Sequence, residues 1–203
     1  MAFQEVTFRP IPSRVLAVVT IGVCAVGVGV MVWQDPSSAL RYAWALVFVG
    51  FAAWALFWRP RLAVQEHGVT VVNVLRTTFV SWPAIQRVDT RYALTLFTTN
   101  GRVPVWVSPA PGRHRAFGLA RADFDGVAES AAGEHGSLRP SDALSTTSGG
   151  LAHVIRSHWE QLRDAGLFDS GVEPGATRTT WHVATIATLA VLAASTLAGL
   201  LVP

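Results

Sequence analysis

Six histidines, one cysteine and a thin scatter of carboxylates are the residues from which this chain could build a reacting or metal-binding centre. His153 and His158 are five apart and share no helical face, His114 stands alone, and no cysteine or carboxylate cluster accompanies them, so the spacing predicts no metal site. His158 is expected to pack beside Trp159 as a partly buried ring. Ser-rich stretches occur without a Gly-x-Ser-x-Gly elbow or a base paired to a serine. Gly149-Gly150 precedes a helical pattern but lacks the Lys-Ser/Thr of a phosphate loop. Asp123, Asp125 and Glu129 lie in a Gly/Ala-rich stretch and read as solvent-facing charge rather than a paired acid and base. No catalytic, cofactor-binding or metal-ligating residue is therefore assigned, and the chain is not expected to be an enzyme. The chemistry left is cationic, because all 16 basic residues are arginine. Arg76, Arg87, Arg91 and Arg102 fall on or between β-patterned segments, where they form either a basic patch or solvated strand edges that deter aggregation. Trp82 and Trp106 read as core or membrane-surface residues rather than a ligand cage.

The elements that hold these residues follow from composition. Of 203 residues 51% are hydrophobic and 14% charged, and the mean hydropathy is +0.38, too apolar for a soluble protein with an ordinary surface. A net charge of +3 suits a position beside anionic headgroups, but the basic residues are too sparse for nucleic acid. Cys24 lies in an apolar run and has no partner for an intramolecular disulfide.

Residues 15–33 carry no charge and reach the length needed to cross a hydrocarbon core of about 30 Å. The run is longer than a signal-peptide core and no small-x-small cleavage site follows it, so it reads as an uncleaved span. After a polar turn at 34–38, residues 39–58 are again apolar apart from Arg41, which can snorkel to the interface; together 15–58 make a transmembrane hairpin. Trp33, Tyr42, Trp44, Trp54 and Trp58 sit near the ends of these runs, where interfacial aromatics gather. Residues 181–202 form a third apolar run, with His182 at its start. Ala190, Ala194 and Ala198 form a small-residue row in it, and Ala25 with Gly29 a shorter one in the first span, both suited to close helix packing. Arg9 and Arg14 precede the first span and Arg59 and Arg61 follow the second, whereas the intervening turn holds Asp35. This bias predicts an integral plasma-membrane protein with its N-terminal segment (1–14) and β region in the cytoplasm and its C-terminus outside.

From Arg61 the periodicity changes from helix to strand. Residues 69–75 are β-branched and follow Glu66-His67-Gly68, a turn in which glycine can supply positive φ. Residues 79–82 are broken by Pro83, 85–92 resume, and 94–98 and 103–107 alternate around Asn100-Gly101, a strong hairpin signal. About six short strands in so little chain predict an antiparallel, strongly bent sheet. Residues 111–150 are rich in Ser, Thr, Gly, Ala and Pro and read as a flexible insert. Over 151–166 a helical period returns: Leu151, Val154, Ile155, His158, Trp159 and Leu162 mark one face, and Arg156, Glu160, Arg163 and Asp164 the other, with Arg156 and Glu160 as an i,i+4 pair. This amphipathic helix is expected to close over the sheet, and 167–180 reads as a linker.

Two spans, then Arg59-Pro60-Arg61, then Gly68-Val69-Thr70-Val71-Val72-Asn73-Val74-Leu75-Arg76, then Val80-Ser81-Trp82-Pro83-Ala84-Ile85-Gln86-Arg87-Val88, then Asn100-Gly101-Arg102-Val103-Pro104-Val105: this order resembles the pleckstrin-homology-like (PH-like) domains of actinobacterial membrane proteins. The resemblance covers about 59–108, the helix from 151 and the preceding hairpin. It implies an α+β membrane protein: three transmembrane helices plus a PH-like bent antiparallel β-sandwich, with its β-domain at 59–110, capped by one C-terminal amphipathic helix. Eukaryotic members often bind phosphoinositides through basic residues in the first hairpin loop; here that loop, Glu66-His67-Gly68, has no Lys or Arg, so headgroup recognition is not carried over. The expected function is a membrane-anchored interaction module, a scaffold or accessory subunit of a membrane complex. Its expected partners are a membrane protein or a second copy, and membrane lipids, not nucleic acid. The alternative is an anionic-lipid-sensing module using Arg9, Arg14, Arg59 and Arg61 with the strand arginines.

Overall fold

The computed structural model describes residues 5–109, 119–127, 131, 139–168 and 175–201. Parts of the expected insert (111–118, 128–130 and 132–138, which include His114 and Glu129), residues 1–4, 169–174 and 202–203 lie outside the described residues. The chain forms two compact units, one built from strands and one from apolar helices.

β1 (Val6–Phe8), β2 (Arg61–Gln65), β3 (Gly68–Val72), β4 (Arg76–Ser81) and β8 (Thr177–Trp181), which apart from Arg76, Thr180 and Trp181 belong to the first unit, form a five-stranded sheet in the order β1-β2-β3-β4-β8. A second sheet holds β5 (Ile85–Asp89), β6 (Ala93–Thr98) and β7 (Gly101–Pro109) in sequential order. β1 to β4 pair antiparallel in sequence order, as do β5 to β7. Alternation decides which side chains turn inward: Leu62, Val64, Val69, Val71 and Val80 from the first sheet, and Val88, Leu94, Leu96, Val103 and Val105 from the second, share one core. Helix α3 (Thr147–Asp164) adds Leu151, Ala152 and Ile155 to it.

Several expectations are corrected here. The N-terminal segment, given no element in the sequence, contributes a strand at Val6–Phe8 that pairs with β2. The strand expected over 69–75 stops at Val72, and the 74–76 bend belongs to the other unit. Gly68 does not have positive φ; it is required by close approach, since a Cβ there would stand 2.3 Å from the Val80 carbonyl oxygen on β4. The β6–β7 turn closes on the Thr98–Gly101 pair, so Thr99 and Asn100 are central and Gly101, with φ 122°, opens β7. The linker over 167–180 contains most of β8, which lies beside β4 with Ser81 N–H donating to the Ala176 carbonyl at 2.8 Å. The capping helix begins at Thr147, not 151, because the Thr146 hydroxyl caps it by accepting from Gly149 N–H at 3.0 Å.

In the second unit, α1 (Ile11–Gln34), α2 (Pro36–Ala53), extended by a π-helical turn over Trp54–Trp58, and α4 (Val183–Leu201) are each long and apolar enough to cross a membrane. The first begins four residues before the predicted 15, with Pro12 in its first turn, where a missing N–H costs nothing. The third begins at Val183 rather than 181, because Trp181 ends a strand. Asp35 caps α2 by accepting from Ser37 and Ser38 N–H at 3.1 and 3.3 Å. The Arg41 Nε–H donates to the Gly199 carbonyl at 2.9 Å, so this arginine satisfies a carbonyl at the C-terminal end of α4. Strand and helix follow one another with only Arg9-Pro10, Arg59-Pro60 or His182 between them in the chain.

Candidate functional site

The outer face of the three-stranded sheet carries a cationic and aromatic grouping. Arg87 on β5 is the Cα partner of Phe97 on β6, and Phe97 is the partner of Arg102 on β7, so the three form one row across the sheet. The Arg87 guanidinium lies 4.2 Å and that of Arg102 5.9 Å from the centre of the Phe97 ring. Both arginines are exposed, and cation–π attraction to a shared ring holds two like charges near one another. β7 continues the face through Pro104 and Trp106, the latter 55% exposed. Trp106 is thus on the surface, whereas Trp82 is core, its indole N–H shared between the Gln65 and Glu66 carbonyls at 3.1 and 2.9 Å.

The four strand arginines do not form one patch. Arg91 lies over Tyr92, 5.3 Å from the ring centre, in the β5–β6 turn. Arg76 lies over Trp181 in the helical unit, 5.8 Å from the ring centre. Only Arg87 and Arg102 are brought together.

Both long edges of this small sheet are occupied by side chains. On β5, the Val88 carbonyl accepts from Arg156 Nη2 at 2.7 Å and the Ile85 carbonyl from Trp159 Nε1 at 3.0 Å. On β7, the Asn73 amide donates to the Pro104 carbonyl at 2.7 Å and accepts from Trp106 N–H at 2.9 Å. Edges used in this way have few backbone groups left to template an added strand. The face, not the edge, is what the sheet offers.

Behind it lies a buried polar cluster that sequence reasoning missed. Arg156 Nη1 donates to Asp142 Oδ1 at 2.9 Å, Thr90 Oγ1 donates to the same oxygen at 2.7 Å, and Ser141 Oγ lies 3.2 Å from Thr90 Oγ1. Arg156 is expected on the solvent face, paired with Glu160; it is instead 4% exposed and bonded to Asp142 and the Val88 carbonyl. The flexible-insert expectation is corrected at the same place, because Ser141, Asp142, Ala143, Thr146 and Ser148 are buried. Asp142 accepts from the Arg156 guanidinium, the Thr90 hydroxyl and the Arg139 N–H, an arrangement suited to holding structure rather than moving protons. His158 packs edge-on to Trp82, with ring centres 4.8 Å apart, and burial pushes its pKa below the ordinary value. Among the described residues no three His, Cys, Asp or Glu side chains gather as metal ligands would.

In the helical unit, Arg14 lies 4.3 Å from the centre of the Trp58 ring, and Arg59 lies 5.6 Å from that of Trp54 while donating to the Thr185 hydroxyl. Arg9 is exposed just before α1, and Arg61 is exposed at the start of β2 in the other unit. Ala190, Ala194 and Ala198 all face outward on α4. The close approach in α4 is made elsewhere, by Gly199, where a Cβ would stand 2.2 Å from the Arg41 carbonyl oxygen. Ala25 and Gly29 are likewise exposed on α1.

No match to the chain is found among curated proteins or among solved structures. A family model described as Bacterial PH domain matches residues 59–138, a span that takes in β2 to β7 and part of the segment read as an insert, and stops short of β1, α3 and β8. This chain therefore carries a bacterial PH domain at residues 59–138.

Proposed function

We propose that the chain is a non-catalytic, membrane-anchored interaction module, a scaffold or accessory subunit that docks an acidic segment of a membrane-protein partner on the outer face of β5-β6-β7. The observation that carries this reading is the Arg87–Phe97–Arg102 row: two exposed guanidiniums set over one ring, on a face whose sheet edges are already occupied. An acidic partner would gain charge-assisted hydrogen bonds from both arginines and apolar contact from Phe97. Flanking charge supports a cytoplasmic location for the PH domain, with the Asp35 turn and the end of α4 outside. Small outward-facing residues on α4 suit contact with a partner's span.

A second reading, anionic-lipid sensing, draws on Arg9, Arg14 and Arg59 in the helical unit and on exposed Arg61. Size analysis of the native complex in mild detergent separates the two. The interaction reading expects an assembly larger than the chain that dissociates when Arg87 and Arg102 are both replaced by Gln. A lone monomer with no partner recovered by crosslinking in cells contradicts it.

A further inference from the structure

Between the start of α1 and the π turn that ends α2 lies a groove of about 350 Å³ lined by Ile11, Arg14, Val15, Val18, Val19 and Trp58. Five of the six are apolar, and Val15, Val18 and Val19 are each 56% exposed. We propose that this groove is a site for one anionic diacyl phospholipid, whose acyl chain lies along Val15, Val18 and Val19 while its phosphate meets Arg14. The inference rests on the reading that α1 and α2 cross a membrane.

The polarity of the groove matches that of a phospholipid. Arg14 lies in the first turn of α1, at the end of the span, and Val18 follows it one turn deeper on the same helix face, about 6 Å along the axis. The cation is therefore at headgroup depth and the apolar wall is in the hydrocarbon. The guanidinium rests 4.3 Å from the centre of the Trp58 ring, so it is held at the mouth of the groove rather than sweeping the interface on a free stem. A ring at this depth also suits the region where indoles favour the boundary between acyl chain and headgroup. Charge complementarity selects an anionic headgroup, because a zwitterionic one brings its own ammonium to the same place.

The test is native mass spectrometry of the full chain purified in detergent with an equimolar mixture of phosphatidylglycerol and phosphatidylcholine. The wild-type chain is expected to retain one phosphatidylglycerol in preference to phosphatidylcholine. Arg14→Gln should lower that retention about tenfold, on the scale of one lost charge-assisted hydrogen bond, and Arg14→Lys should keep most of it. Val18→Trp, which fills the groove, should lower retention of both lipids. Equal retention of the two lipids, no effect of Arg14→Gln, displacement of the lipid by inorganic phosphate, or a lipid-free dimer occupying the groove each overturns the proposal. Release of the chain from membranes by alkaline carbonate would instead refute the spanning reading itself.

Discussion

Arg156 and Asp142, fourteen residues apart in the chain, meet in an ion pair of 2.9 Å with side chains only 5% and 3% exposed. The pair ties α3 to the short helical turn at Pro140–Asp142, and through Arg156 Nη2 to the Val88 carbonyl it ties both to β5. Removing one partner leaves the other charge buried and uncompensated. Asp142→Ala or Arg156→Met should each destabilise the PH domain by about 3–5 kcal/mol, and the double substitution should cost less than the sum. Denaturant unfolding followed by tryptophan fluorescence measures this; single variants within about 1 kcal/mol of wild type would contradict it.

How much of this was legible in the sequence differs from element to element. The three apolar helices and the alternation of β6 and β7 are written locally, in uncharged length and in a period of two. Arg156 was not, because an arginine four residues before a glutamate on an amphipathic helix carries the local signature of an exposed pair, and only Asp142, folded back from the segment before the helix, reverses it. β1 and β8 were missed for a related reason. Each is a short strand with an exposed burial pattern, held by pairing to β2 or β4 rather than by an apolar face of its own. The Arg87–Phe97–Arg102 row depends on register: the arginines were visible as candidates, but the ring that joins two of them, and the separation of Arg76 and Arg91, appear only once the strands are paired.

Helix packing gives a second prediction. Gly199 abuts the Arg41 backbone, whereas Ala194 faces outward. Gly199→Val should lower the melting temperature of the detergent-solubilised chain by forcing α4 off α2. Ala194→Val should leave the melting temperature unchanged and weaken only association with other spans. A reversed pattern would move the intramolecular contact to the alanine row.

His158 supplies a pH dependence. Burial lowers its folded pKa, so the unfolded chain takes up the proton first as pH falls. Its contribution is complete above the ordinary histidine value of about 6.5 and is lost as pH drops through it toward the lower folded value. His158→Phe, which can keep an edge-on ring contact with Trp82, should flatten the part of the melting profile between pH 7.5 and 5.5 that this residue causes, a window set around that ordinary value. An unchanged profile would remove His158 from the account.

Topology is testable by labelling. With Cys24 replaced by Ala, Asp35→Cys should react with a membrane-impermeant maleimide on intact cells, and Arg178→Cys only after the cells are opened. The opposite pattern would place the PH domain outside.

The central claim is that the outer face of β5-β6-β7 docks an acidic protein partner. Its most direct test is a photo-crosslinking amino acid at position 97 in cells, with position 167, exposed elsewhere on the same unit, as control. The account predicts a discrete protein adduct from position 97 alone, lost when Arg87 and Arg102 are replaced by Gln. Adducts of equal strength from both positions, or an adduct indifferent to the two arginines, would contradict it.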